Sequence, residues 1–284
     1  LNLNGHTIIG DNSTTGVLVR RTAATIENGT MRGFGVAVAS TALDGLTSEI
    51  PADATISHMV LSGGGTGVAA DGLVTVEHSH ITHMSQVALF LNAINGAPPP
   101  GGGVVTNNTI TDSAAGIVLN EAGGNISGNV ISHNTGPGIS GSIWFEPTTI
   151  AGNTITDNRS GIAVTTSRFE ECLPTGCAGT LAILDNVVKD NGGAGIVWLG
   201  AGGPGSQVAG NIANDNGATG DTTTSNDGIQ LGLDGSVSSV TVTANQARGN
   251  IGDGIEATGV IDGGGNLASG NFGPAQCTGI SCSG

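Results

Sequence analysis

Along this chain one short frame of hydrophobic and polar positions recurs: an apolar residue, two variable residues, Asn, one residue, another apolar residue, two residues, and a second Asn. Six consecutive instances carry an Asn pair five residues apart: Asn129/Asn134, Asn153/Asn158, Asn186/Asn191, Asn211/Asn216, Asn245/Asn250 and Asn266/Asn271. After a short gap most pairs are followed by Gly-Ile, at Gly138-Ile139, Gly161-Ile162, Gly195-Ile196, Gly228-Ile229 and Gly254-Ile255. Earlier segments keep the aliphatic frame with looser punctuation, at Leu3/Ile8, Ile26/Met31, Ile56/Leu61, Val76/Ile81 and Val105/Ile110. The period runs from about 20 to 34 residues, the range of stacked structural repeats.

Positions such as Ile126, Val130/Ile131 and Ile139 predict three short strands per repeat, each too small to bury its apolar face alone. Stacked coils bury those faces together and pair like with like. Asn tolerates the left-handed turns between strands, and its amide can bond to its counterpart one rung away, which predicts asparagine ladders. Gly before Ile permits a further tight bend. About eleven coils at the spacing of paired strands predict an all-β rod of roughly 50 Å.

The opening LNLNGHTIIG and the recurring GNxIxxN…GI units resemble the parallel β-helix repeat superfamily, which includes pectate-lyase-like enzymes and many secreted bacterial proteins. The resemblance covers essentially the whole chain. It implies one right-handed, single-stranded parallel β-helix domain over residues 1–284; the spacing of Cys277 and Cys282 adds a C-terminal disulfide loop at 272–284. Because the chain opens directly on a strand-like segment, a leader and an N-terminal cap are expected to have been removed or left out. The superfamily holds lyases, hydrolases, epimerases and non-enzymatic adhesins, so membership alone leaves the activity open.

Composition agrees with a solenoid: 51 glycines, 2% aromatics and no Tyr are too little bulk for a sandwich or α/β core, while 37% hydrophobic residues are too many for a disordered tract. A formal net charge of -15, from 22 acids against 7 bases, argues against nucleic acid and anionic lipid as partners. No apolar run is long enough to insert in a membrane. Cys172/Cys177 and Cys277/Cys282 form two C-x4-C pairs without His, which points to two local disulfides and a secreted or cell-surface location rather than to zinc.

Insertions interrupt the repeat at 40–53, 92–103, 140–149, 165–180 and 198–206 after the third strand, and at 217–227 after the second Asn. Loops on a rigid scaffold are where sites are usually placed. Trp144, Phe145, Phe169 and Trp198 fall on three of them, beside Glu146, Arg168, Glu170 and Glu171. Such aromatics stack on sugar rings, while Arg168, Glu146 and Glu170 are candidate uronate clamp, acid and base. The same aromatics would equally pin the loops to the scaffold.

A second candidate is the column Asp112, His133, Asp157, Asp190 and Asp215, where stacked carboxylates suit turn formation, a divalent cation such as calcium, or glycoside hydrolysis. A third is His58, His78 and His80, with Glu77 nearby, as metal ligands: residues two apart on a strand face the same way. Lacking Tyr, the chain cannot use a Tyr proton donor; Lys189 is its sole lysine, and the paired-Asp motifs of polygalacturonase-type hydrolases are missing. Two functional readings follow. One is a secreted carbohydrate-active protein, a polysaccharide lyase or glycosidase binding an extended glycan on the loop-decorated face; the other is a non-catalytic adhesion or structural module.

Overall fold

Strand alternation places one aliphatic side chain of each short strand inside the coil, and the coils repeat that arrangement from end to end. The computed structural model describes residues 1–20, 22–41, 53–92, 102–144, 147–167, 179–218, 226–233 and 239–284. Every strand pairing among them is parallel and joins one coil to the next. The result is a right-handed parallel β-helix with three sheets along its length. In the third sheet, ten successive pairings link eleven strand segments, from Thr15–Arg20 to Cys277–Thr278, in agreement with the coil number read from the repeat.

The core is a set of stacked columns rather than a central cluster. Ile26, Ile56, Val76, Val105, Ile126, Ile150, Ile183, Val208 and Val242 line the first sheet, each at most 1% exposed. The second sheet contributes Leu61, Ile81, Ile110, Ile131, Ile155 and Val188, and the third Leu89, Ile117, Ile139, Ile162, Ile196, Ile229 and Ile255. Burying each such side chain contributes about 1.5–3 kcal/mol. Stability is therefore spread along the rod.

Two corners, between the first and second sheets and between the second and third, share one device. From Ser79 and Ser113 onward a residue in the left-handed region is followed by a buried polar residue, whereas Asn28, His58 and His83 are followed by Gly29, Met59 and Met84. Asn28, His58, His78, Asn107, Asp185 and Ala244 take that conformation at the first corner, and His83, Asp112, His133, Asp157, Asp190 and Asp215 at the second, all with φ between 48° and 58°. Apart from Ala244, these are the residue types that tolerate this region best among non-glycines. The next residue carries the ladder. At the first corner it runs Asn108, Asn129, Asn153, Asn186, Asn211, Asn245, Asn266; from Asn129 onward each Oδ1 accepts both the backbone N–H and the Nδ2–H of the preceding Asn at 2.9–3.2 Å. A parallel ladder at the second corner runs from Asn134 to Asn271, where Gln276 Oε1 accepts the last two donors at 3.2 and 2.9 Å. Ser79 and Ser113 extend the two ladders one rung towards the N-terminus, their hydroxyls accepting the N–H of Met59 and Met84.

At the far end Cys277 pairs with Ile255 in the third sheet and Cys282 with Asn266 beside the first corner, so their disulfide, with Cα atoms 6.2 Å apart, ties the last coil across the end of the core. Cys172 and Cys177 lie outside the described residues.

Candidate functional site

The insertions leave the rod along one edge. Third-sheet strands ending at Asp71 and Asn120 are joined to the first sheet by the two-residue bends Gly72-Leu73 and Glu121-Ala122. Strands ending at Thr41, Asn92, Ile143, Thr166 and Leu233 are followed by longer segments before the first sheet resumes. Because Ile143 pairs with Thr166 and Thr166 with Gly200, three successive insertions begin on neighbouring rungs. The 217–227 insertion departs elsewhere, between Asn216 of the second ladder and the third-sheet strand Ile229–Leu233.

Beside that edge the third sheet presents two outward columns. The outer one, at the end of each strand, reads Arg20, Thr41, Asp71, Asn92, Asn120, Ser142 and Thr165 on successive rungs. Its middle is hydrogen-bonded: Asn92 Nδ2 donates to Asp71 Oδ1 at 2.7 Å, and Asn120 Nδ2 donates to Asn92 Oδ1 at 2.6 Å. Ser142 Oγ accepts the backbone N–H of Glu121 at 3.1 Å. The inner column is half-buried and mostly apolar: Ala69, Phe90, Val118, Ser140 and Ala163. A flat apolar strip thus runs alongside a ridge of amides, hydroxyls and one carboxylate. Phe90 and this polar column did not stand out from the repeat frame. Their signal is the strand endings VAAD, ALFLN and GIVLN, which appear only when strand ends, rather than Asn pairs, are aligned.

The residues singled out from sequence are scattered by the structure. Trp144 sits half-exposed at the end of a third-sheet strand, its carbonyl accepting the N–H of Gly179 at 3.1 Å. Phe145, Glu146, Arg168, Phe169, Glu170 and Glu171 lie outside the described residues. Trp198 corrects the reading of residues 198–206 as a loop presenting an aromatic to a sugar. The strand continues through it, from Ile196 to Gly200, and Trp198 pairs with Val164 and Leu231 in an inward column. It is 0% exposed, and its Nε1 donates to Thr166 Oγ1 at 2.8 Å. Its rings close the core where the chain leaves for the next coil.

Asp112, His133, Asp157, Asp190 and Asp215 do form an exposed column, at the left-handed positions of the second corner. Asp190 lies 3.5 Å from the ammonium of Lys189. The histidine reading changes more. His58 and His78 occupy the left-handed positions of the first corner on adjacent rungs, their rings stacked with centroids 5.3 Å apart and planes 10° from parallel. The chain turns between His78 and His80, so strand alternation does not relate them, and His80 lies on the second sheet opposite Val60 and Thr109. Among the described residues no three His, Cys, Asp or Glu side chains converge in a metal-holding geometry, and no helix is long and apolar enough to cross a membrane.

The sequence matches the family described as right handed beta helix region over residues 2–170 and 71–233. Among solved structures, the A-module of the Azotobacter vinelandii mannuronan C-5 epimerase AlgE4 superposes with a TM-score of 0.63 at 15% identity, covering 99% of this chain and 79% of that one. No curated protein matches the sequence. At that identity the likeness is one of fold.

Proposed function

The chain belongs to the right handed β-helix family, and on that premise we propose that it is a secreted carbohydrate-active protein holding an extended polysaccharide along the insertion-bearing edge of its third sheet. The observation that carries the reading is the hydrogen-bonded column Asp71, Asn92, Asn120, lying in line with the insertions and next to half-buried Phe90. Amides and hydroxyls repeated once per rung match sugar hydroxyls repeated once per ring, because paired strands are spaced about 4.8 Å apart, close to the advance of one pyranose in an extended chain. Phe90 supplies a face for one ring. That a β-helix of this architecture, the AlgE4 A-module, is a mannuronan epimerase supports a polysaccharide as ligand. The disulfide supports export to an oxidising compartment.

In the finer form of the proposal, Arg168, Glu146 and Glu170 on the neighbouring insertions supply lyase or hydrolase chemistry, and Trp144 lends a second stacking face. The test is calorimetric titration with neutral and acidic polysaccharides, run beside reducing-sugar and unsaturated-uronate absorbance assays. Asn92→Ala and Phe90→Ala are expected to weaken binding by about 1–2 kcal/mol each without loss of fold. Binding that neither substitution alters would refute the edge as the glycan path. Binding without product for any glycan would select the adhesive form of the same proposal.

A further inference from the structure

The second corner carries a gap that the glycan edge does not use. From His83 through Asp112, His133, Asp157 and Asp190 to Asp215 its left-handed column bears side chains on six successive rungs, before Gly249 and Gly270 take the last two. Between Asn12 and His83 the column is glycine: Gly33 and Gly63 hold φ at 71° and 58°, and Gly64 and Gly65 follow directly. A Cβ placed on Gly63 would meet no atom within 4 Å. Beside Gly63 lies an open groove of about 550 Å³, floored by glycine backbone and edged by Asn12, His83, Ser85 and Gln86; Gly64 and Gly65 lie too close to the Phe34 and Gly35 carbonyls of the preceding coil to carry a Cβ. That volume lies in the range of small-molecule sites.

Its polar edge is specially built. The strand register shifts between the pairs Gly64↔Met84 and Thr66↔Val87, so one extra residue is accommodated on the His83 side. Ser85 and Gln86 are exposed there, and bulges of this kind commonly re-aim side chains beside functional sites. His83 is oriented by its neighbour: Thr82 Oγ1 lies 2.7 Å from His83 Nδ1 and 3.1 Å from Thr111 Oγ1, and Thr82 is only 9% exposed. With Nδ1 engaged, the remaining ring nitrogen is free of that bond for a ligand.

We propose that this groove binds a single sugar ring or a polyol of similar size, with its hydroxyls meeting His83, Ser85, Asn12 and Gln86 and its ring lying on the glycine floor. A glycine floor admits close approach of a ring to backbone, while the edge offers a nitrogen, a hydroxyl and two amides, each able to donate or accept. The site is at the opposite end of the third-sheet strands from the insertion edge and stands independently of the glycan path proposed there.

The full chain would be titrated with methyl glucoside, methyl mannoside, methyl galactoside and N-acetylglucosamine, following the imidazole and glycine amide signals by NMR. The expected result is saturable shifts at His83 and Gly63 to Gly65 with at least one probe. Gly63→Asn fills the groove while keeping a residue that accepts positive φ. It should weaken binding by about tenfold or more with an unchanged melting temperature, and His83→Asn should weaken it by a smaller factor. Asn92→Ala should leave this binding intact, which separates the groove from the insertion edge. No shift with any probe, shifts elsewhere on the rod, or binding retained by a folded Gly63→Asn protein would overturn the proposal.

Discussion

Replacing Asn186 by Ala tests what the ladders contribute. Asn186 is 0% exposed and takes part in four hydrogen bonds through its side chain. Its Nδ2 donates to Asn211 Oδ1 at 3.0 Å and to the Ile150 carbonyl at 2.8 Å; its Oδ1 accepts from Asn153 N and Nδ2 at 3.0 and 2.9 Å. Most partners keep another bond: Asn153 Nδ2 still reaches the Ile126 carbonyl, and Asn211 Oδ1 still accepts Asn186 N–H. The backbone N–H of Asn153 loses its partner in a place water does not reach. One orphaned buried donor costs about 1–3 kcal/mol, and the lost bonds bring the total to about 2–4 kcal/mol. In a chain of this size each kcal/mol lowers Tm by roughly 2–4 °C. Asn186→Asp should be worse at neutral pH, because a buried carboxylate would face the Ile150 carbonyl and Asn211 Oδ1. Its folded-state pKa would then lie above the unfolded value, so this variant gains stability as pH falls and loses it as pH rises. Calorimetric melts of both variants across pH 3–8 provide the check. An Asn186→Ala protein melting within a degree of the parent would refute the energetic role assigned to the ladder.

Trp198→Ala should lower stability by about 3–5 kcal/mol by leaving a cavity while glycan binding is unchanged; in the Trp144→Phe background, Trp198 emission should be blue-shifted and inaccessible to iodide. Converting Cys277 and Cys282 together to Ser opens a link between residues five apart and should cost about 2 kcal/mol by loop entropy, with faster hydrogen exchange confined to the C-terminal coil. Asp11 accepts hydrogen bonds from the backbone N–H and hydroxyl of Ser13 and then from those of Thr14, which lowers its pKa to about 2. Its stabilising contribution should be complete above the ordinary carboxylate range and vanish as pH falls towards about 2, as a carboxyl-carbon NMR titration would show.

The sequence announced its fold because a solenoid states the same message in every coil. Six Asn pairs five residues apart are six readings of one two-corner geometry, and an error at one coil is outvoted by its neighbours. The N-terminal coils were legible only as an aliphatic frame, since Ser79, Ser113 and Met59 replace Asn at ladder positions there. Local departures were harder to read. His78 looked like a strand residue until its positive φ placed it on a corner. Trp198 looked like the start of a loop, yet its facing neighbours Val164 and Leu231 extend the strand and turn it inward.

Function in such a fold has to sit where repetition breaks, because a rung that repeats its neighbours offers nothing a ligand can tell apart from them. Two kinds of break occur on this rod, and they differ in what a sequence shows. Added residues, as in the third-corner insertions, are visible as lengthened repeats, so the edge they share was anticipated even though its half-buried Phe90 was not. Removed side chains, as at Gly33 and Gly63, are nearly silent, because glycine is already abundant at turns throughout the chain. What marks Gly63 out is its place in a column whose later members are mostly Asp and His, together with the displaced strand beside it. A glycine that borders open space beside a displaced strand removes bulk from a groove, whereas one at a corner of regular register only shapes a turn. On that distinction Gly63→Asn should close a groove, while Gly152→Asn, at a first-corner position where a Cβ also meets nothing within 4 Å, should leave every binding property of the protein as it was.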